Sequence, residues 1–311
     1  MSIDLNPRSL KNSSALTWQQ WLPEFVLLAM LWGSSFLFMR EGVREFGPAA
    51  TAWVRVTSAA LMLTPLMLWR GELPAFKRTW KQTFVAGMFN AGLPFVLYAF
   101  ALSHISTGLS SILNATTPLF GALIAWLWLG DKLNASRIAG LAIGFSGVVV
   151  LASHAPSGLS LDAHNTNSGA AMLACLAATF CYGIAGSMIK RHLSDVPATV
   201  TTTGSLWGCT LLIAPFAVAA WPEQTPSLHA WGAMLISGSL CTAVAYVLYF
   251  RLMTRTGPAH AMTVTYLIPV FANLIGIVWL DEVFTPWMMV GCAIILLGTA
   301  LASGLIGRAK N

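Results

Sequence analysis

Long apolar stretches broken by short polar segments run along the whole chain, at 22–39, 48–69, 82–102, 107–129, 136–153, 168–189, 198–219, 229–250, 259–280 and 286–306. An α-helix rises 1.5 Å per residue, so about 20 apolar residues cross a hydrocarbon core of about 30 Å. Lipid offers no partners to backbone amides and carbonyls, whereas a helix satisfies its own. The pattern therefore predicts ten membrane-spanning helices joined by short loops.

The pattern also repeats. Shifted by about 150 residues, Trp32-Gly33 falls on Tyr182-Gly183 and Arg40 on Lys190. With one residue inserted, Tyr98, Pro118, Asp131, Gly140 and Gly147 fall on Tyr249, Pro269, Glu282, Gly291 and Gly298. Each copy holds five apolar stretches, an odd number, so the second copy enters the membrane from the opposite side. The prediction is an all-α membrane protein of ten transmembrane helices arranged as two inverted five-helix repeats. Its parts are a cytoplasmic N-terminal segment (1–21), the first repeat (22–153), an external linker (154–167), the second repeat (168–306) and a cytoplasmic tail (307–311). Inverted helical repeats are a known way to build a transporter with its substrate site between the copies.

Composition agrees with this class. The 311 residues are 56% hydrophobic and 9% charged, with a mean hydropathy of +0.70, where a soluble domain carries about a quarter charged residues. Charge placement sets the orientation. With the N-terminus inside, the inner segments hold Arg8, Lys11, Arg70, Lys77, Arg78, Lys81, Lys132, Arg137, Lys190, Arg191, Arg251, Arg255, Arg308 and Lys310, and the outer loops hold Arg40 and Arg44. Positive loops stay in the cytoplasm, so both termini are predicted there, in a bacterial inner membrane. The net charge of +6 is then a consequence of topology, and no soluble basic domain exists to bind nucleic acid. Most of the 13 tryptophans lie at span ends, as interfacial anchors do, with Trp32 and Trp207 nearer mid-span. The first stretch has no small-residue cleavage site after it and reads as a retained helix, not a signal peptide. The five cysteines all fall inside spans, without metal-ligand spacing, so neither disulfides nor a metal is expected.

Several segments resemble the EamA-type family of the drug/metabolite transporter superfamily. They are Trp32-Gly33-Ser34-Ser35-Phe36 in the first span, Arg55 in the second, Pro118 with the Trp128-Leu129-Gly130-Asp131 exit of the fourth, and Pro269 with the Leu280-Asp281-Glu282 exit of the ninth. The resemblance covers nearly the whole chain. It implies a ten-helix carrier of the cytoplasmic membrane that exports amino acids, related metabolites or organic cations. It also implies a central cavity surrounded by the first, third, fourth, sixth, eighth and ninth spans. The family usually has Glu at the close of the fourth span; the shorter Asp131 stands there, while Glu282 keeps the pattern.

Polar residues at helical spacing nominate a site. The fourth span offers Ser110, Asn114, Thr117 and Gly121; the ninth Thr263, Tyr266 and Asn273; the eighth Thr242, Tyr246 and Tyr249; the third Asn90, Pro94 and Tyr98. With Trp32, Ser35 and Tyr182 these supply the candidate substrate-binding set: Trp32, Ser35, Asn90, Tyr98, Asn114, Thr117, Tyr182, Tyr246, Tyr249, Tyr266 and Asn273. Small polar residues in membrane helices also bond neighbouring helices, so the stripes alone do not separate lining from packing. Pro118 and Pro269 are candidate hinges, because each removes a backbone donor within a span. Gly140, Gly144 and Gly147, with Gly291 and Gly298, suit close helix approach, either within the chain or in a homodimer. Arg55 is the one clearly intramembrane charge; it reads either as a carboxylate clamp or as a structural residue that pairs with Glu41 or Glu45 or caps carbonyls at a helix end. The second span is not among those the resemblance places at the cavity, which favours the structural role.

No Asp or Glu lies deep in a span, and Glu24, His260, Asp281 and Glu282 sit near span ends. Facilitated or weakly proton-coupled exchange is therefore expected. There is no phosphate-cradling loop, no cofactor motif, no intramembrane aspartate pair and no HExxH, which argues against an ATPase or an enzyme. Rings of charge or a filter, as a channel needs, are missing too. A phosphate-ester or nucleotide-sugar carrier needs several cavity cations, and Arg55 stands alone. The expected partners are a small-molecule substrate and the lipid bilayer.

Overall fold

The computed structural model describes residues 18–154, 166–256 and 261–304. The basic termini, most of the linker and His260 lie outside the described residues. Those described form helices and turns without a strand. The first helix, α1 (Trp18–Trp69), runs for 52 residues and breaks at Gly47 (φ 70°, ψ 171°). This positive φ carries little penalty without a Cβ, and Pro48 follows, which cannot donate to the preceding turn. The predicted loop after residue 39 is instead helical up to the break, where Arg44 pairs with Glu41 at 2.8 Å.

Next come α2 (Leu73–Gly87), a π-helical turn (Met88–Gly92) and α3 (Leu93–Leu102), which form one continuous rod. Then α4 (Thr107–Asn114) and α5 (Thr117–Ile124) are separated at Ala115–Thr116 and end in a second π-helical turn (Ala125–Leu129). They are followed by α6 (Ala135–Ser153), α7 (Thr166–His192) and α8 (Ala198–Ala219). A further rod comprises α9 (Leu228–Gly238), a π-helical turn (Ser239–Val244) and α10 (Ala245–Thr256). A 3₁₀ segment (Thr263–Tyr266), α11 (Ile268–Leu280) and α12 (Pro286–Ala302) complete the chain. Eight helices among the described residues are long and apolar enough to cross a membrane, the broken α1 counting as one, and α12 is a shorter apolar helix.

Positions 151 apart take the same local conformation. Gly130 and Asp281 are both left-handed helix C-caps. The following Asp131 and Glu282 each return their N–H six residues back, to Ala125 O (3.2 Å) and Gly276 O (3.1 Å), the closing bond of a Schellman motif. Asn134 and Thr285 both cap the next helix, accepting from Arg137 N and Met288 N. The two π-helical turns at Met88 and Ser239 begin at this same offset. A mid-span π turn widens the helix locally and frees a carbonyl, a feature common at functional sites. Asn134→Ala and Thr285→Ala are each expected to cost about 1 kcal/mol of stability, read as a lowered unfolding temperature in detergent.

The bundle is apolar inside and outside. Phe46, Leu28, Leu102, Ile112 and Leu119 are fully buried, while Leu228, Trp69, Val283 and Trp279 point outward with most of their surface free. A water-facing protein does not carry so much exposed apolar surface; lipid solvates it. Trp207 turns inward and donates from Nε1 to Thr64 Oγ1 at 2.9 Å.

Candidate functional site

A cavity of about 260 Å³ lies inside the bundle. Trp32, Ser35, Phe36 and Met39 reach it from α1, and Arg55 from the arm beyond Gly47. Asn90 enters from the first π turn, Phe95 and Tyr98 from α3, Asn114 and Thr117 from the two sides of the α4–α5 break, and Tyr182 and Gly186 from α7. Cys241 and Thr242 come from the π turn before α10, Tyr246 and Tyr249 from α10, and Met262, Thr265 and Ile268 from the stretch leading into α11. Nine of the nominated binding residues thus meet around one space: Trp32, Ser35, Asn90, Tyr98, Asn114, Thr117, Tyr182, Tyr246 and Tyr249.

Two nominated residues do not. Tyr266 points away from the cavity and its hydroxyl meets Ser303 Oγ at 2.9 Å. Asn273 is buried and donates to Pro269 O at 2.7 Å. The ninth span enters as a 3₁₀ segment, with three residues per turn instead of 3.6. The face toward the cavity is Met262, Thr265 and Ile268, offset by one position from the nominated Thr263 and Tyr266. Ser110 is also off the cavity, buried against Cys175 Sγ at 3.3 Å. Phe36 and Met39 lie one and two turns beyond Trp32 on the same face and could have been read from it. Gly186 likewise lies one turn beyond Tyr182, whereas Thr265 carries no comparable signal.

Both prolines follow a break. Pro118 and Pro269 occupy the first turns of α5 and α11. Pro118 cannot bond the carbonyl of Asn114, and Thr117 Oγ1 donates to that oxygen instead at 2.7 Å. Gly33 and Gly183 lie directly against the backbone that follows each proline: Gly33 against Phe271 and Ala272, Gly183 against Phe120 and Gly121. A side chain at either glycine would push the broken span away from its neighbour.

The lining is aromatic and mostly neutral. Trp32 and Tyr249 rings are 5.3 Å apart, Phe36 and Tyr98 5.7 Å, and Tyr98 and Tyr182 stack at 6.4 Å. Tyr98 Oη donates to Asn114 Oδ1 (2.9 Å), and Asn90 Nδ2 donates to Tyr246 Oη (3.3 Å). No Asp, Glu or His lines the cavity among the described residues. Arg55 is 4% exposed. The expected pairing of Arg55 with Glu41 or Glu45 is not what the structure has. Glu41 is held by Arg44 and His229, and Glu45 accepts from the backbone N–H and hydroxyl of Ser227. Arg55 donates from Nε to Thr242 Oγ1 at 3.0 Å and from Nη1 to the Met39 sulfur, and lies over the Phe95 ring at 4.0 Å. The arm of α1 beyond Gly47, predicted as the second span, thus contributes the one charge that lines the cavity among the described residues.

Ion pairs sit beyond the two ends of the cavity. Arg40 Nη1 donates to Glu282 Oε1 at 2.9 Å, and the same carboxylate accepts from Thr107 N (2.8 Å), Thr107 Oγ1 (2.8 Å) and Gly108 N (3.2 Å). Glu282 is 10% exposed. The counterpart pair is Lys190 with Asp131, at 3.0 Å, but there the partners are 62% and 39% exposed. Glu282 binds the start of the fourth span and Asp131 follows its end, 23 residues on, roughly 34 Å at 1.5 Å per residue. Near the Glu282 end the lining residues Phe36, Met39, Arg55 and Phe95 are buried; near the Lys190 end Gly186 and Met262 are exposed. Among the described residues the lining is thus buried toward the first pair and exposed toward the second.

A multi-pass helical membrane protein around an internal, nearly neutral cavity is of the transporter class. The chain belongs to the EamA-like transporter family, whose profile matches residues 20–153 and again 169–304. It is similar to a protein of Streptantibioticus cattleyicolor named "Probable terminal-alkyne amino-acid exporter", at 26% identity over 92% of this chain and 94% of that one. It is also similar to the uncharacterized transporter YvbV of Bacillus subtilis, at 24% identity over 89% of each chain. A solved crystal structure superposes with a TM-score of 0.66 over 94% of this chain and 99% of the other at 19% identity, a likeness of fold.

Proposed function

We propose that the protein is an alternating-access exporter of small metabolites, amino acids or their analogues, in a bacterial inner membrane. The observation that carries this is the pair of matched closures. Arg40 and Lys190 occupy equivalent places in the two copies, as do Glu282 and Asp131, and each cation bonds the acid of the other copy. One closure is partly buried, its acid also holding Thr107 and Gly108; the other is exposed and joins only its two side chains. Exchanging their roles would close the cavity at the opposite end, which is what alternating access requires.

In this reading α1 makes two crossings. At 52 residues it extends to about 78 Å, far beyond a core of about 30 Å. With α12 as the last crossing the chain has ten, in two inverted copies of five, with both termini cytoplasmic and residues 154–167 outside. A cysteine introduced at Ser160 is then labelled by a membrane-impermeant thiol reagent from outside and a C-terminal tag is reached only from within; labelling of both from one side would remove the inverted arrangement. Pro118 and Pro269 are the hinge points. The amino-acid assignment is supported by the cargo named for the Streptantibioticus relative and by the small, uncharged-to-cationic cavity. The alternatives are an organic-cation exporter and a phosphate-ester or nucleotide-sugar carrier. The last would leave most phosphate charge unmatched by Arg55 alone. The lipid bilayer and the substrate are the partners; the glycine faces of α6 and α12 are occupied by one another, which leaves a homodimer without that surface.

With no carboxylate or histidine on the cavity wall among the described residues, transport is expected to be saturable and stimulated by counterflow, with uptake into proteoliposomes changing less than about twofold on imposing a pH gradient. A flux that needs the gradient would overturn the uncoupled mechanism; a flux without saturation or counterflow would favour a channel.

A further inference from the structure

We propose that Arg55 is the anchor for a carboxylate on the transported molecule, and that the cavity selects for this group over a positive charge. The proposal rests on the carrier reading above and names the substrate chemistry of the same site. A guanidinium at membrane depth costs about 2.5–3.5 kcal/mol on insertion scales, so such residues normally meet an opposite charge. Arg55 is 4% exposed and, among the described residues, has no such partner. Its bonding partners are a hydroxyl, a thioether and a ring face, from Thr242, Met39 and Phe95. Among the described residues no carboxylate lies within 4.0 Å of it, and Glu41 and Glu45, the acids nearest in sequence, are engaged elsewhere.

The three neighbours do specific work. Thr242 takes Nε, Met39 takes one Nη1 proton, and the Phe95 face blocks one side of the plane. Nη2 has no hydrogen bond within the described residues, and the group lines the cavity. A guanidinium held in this way presents its remaining donors in a fixed fork, the geometry that fits a carboxylate. The π turn before α10 is what brings Thr242 to this place, its own hydroxyl donating to Ser237 O at 2.9 Å.

Nothing equivalent awaits an ammonium. Its candidate partners are Asn90 Oδ1 and the faces of Trp32 and Tyr249, all neutral. The discriminating charge is therefore the substrate's negative one, with the apolar body against the aromatic wall. A lipophilic cation would meet Arg55 in a poorly solvated space, where like charges repel more strongly than in water.

The test uses the full-length protein in proteoliposomes with matched pairs: L-leucine and L-phenylalanine as free acids, each against its carboxamide. Counterflow KM is measured for both members, with wild type, Arg55→Lys, Arg55→Gln and Thr242→Val. The free acid is expected to lose affinity roughly 10- to 100-fold in Arg55→Gln, the size of a lost charge-assisted hydrogen bond. Arg55→Lys restores part of it, and Thr242→Val, which keeps the charge but releases Nε, weakens the acid only a few-fold. The carboxamide, which keeps the ammonium and lacks the carboxylate, is a poor substrate of wild type; it improves in Arg55→Gln, where the repulsion is removed, and changes little in Arg55→Lys and Thr242→Val. Should Arg55→Gln not fold, the Thr242→Val split between acid and amide still decides. Carboxamides carried as well as acids by wild type, or acids unaffected by Arg55→Gln, overturn the anchor and leave the carrier intact. No saturable flux of any member in folded wild-type protein overturns the amino-acid reading and the anchor together.

Discussion

Replacing Glu282 with alanine is expected to lower stability by about 2–4 kcal/mol, somewhat below the range for breaking a fully buried charged pair by removing one partner, because Arg40 keeps 27% of its side chain exposed. The side chain accepts from Arg40, from the backbone N–H groups of Thr107 and Gly108 and from the Thr107 hydroxyl. Alanine leaves three donors without an acceptor and the Arg40 guanidinium with only the Ile105 carbonyl, 3.1 Å from Nη1, at a partly buried place. Two of those donors are the first N–H groups of α4, where a helix has no acceptors of its own and where negative charge is favoured. Gly276 lies directly against this carboxylate and leaves it room. The matched change at the other end, Asp131→Ala, is expected to cost less than about 1 kcal/mol, because exposed pairs contribute little. Unfolding midpoints of the two variants in the same detergent give the comparison. Equal losses would mean that the two closures are energetically alike, and the account of one tight and one loose end would fail.

Gly298→Leu is expected to be the most damaging substitution away from charged groups. Gly298 rests on the backbone of Gly144 and Gly140, and Gly140 on that of Ala302. No side chain stands between α6 and α12 there that could move aside. A leucine must separate two helix backbones, and overpacking of this kind costs about 3 kcal/mol or more where nothing can relax. Gly147 against Ile295 and Gly291 against Leu151 extend the same contact, so displacement at one point is felt along the interface. The control is Gly232→Ala, where a Cβ meets nothing within 4 Å; there the better helix propensity of alanine is expected to raise stability by up to about 1 kcal/mol. The readout is the yield of monodisperse protein by size-exclusion chromatography, with unfolding temperature for whatever is recovered. A well-folded Gly298→Leu protein would show that the two helices are not held backbone to backbone.

These expectations differ in how far they could be reached without coordinates. The close-approach role of Gly140, Gly144 and Gly298 follows from small residues spaced along apolar helices, but the sequence leaves open whether they meet within one chain or between two. The structure places the contact inside the chain. Arg40 and Lys190, and Asp131 and Glu282, align as equivalents in the sequence, yet nothing there says that each cation reaches the acid of the other copy. Nine of eleven nominated binding residues share one cavity because α-helical spacing holds through most of the spans. Tyr266 and Asn273 miss it and bond Ser303 Oγ and Pro269 O instead, because packing, not spacing, sets which face of their segment turns inward. Local sequence statistics carry little information about 3₁₀ and π segments, since their stability comes from the neighbours that accept the displaced groups.

Arg55 shows the division most clearly. A charge inside an apolar stretch is visible in the sequence, and so is its cost; its surroundings are not. The apolar runs, the positions of charge and the repeat at about 150 residues determine that this chain forms lipid-exposed helices, since each depends only on the transfer of a segment from water to hydrocarbon. Which acids are taken by Arg44, His229 and Ser227 instead of Arg55, at which end the cavity lining is buried, and which faces of the broken spans line it are decided by packing. Those outcomes depend on side chains brought together from residues up to 242 positions apart, whose competition for the same partners exists only once the helices have assembled.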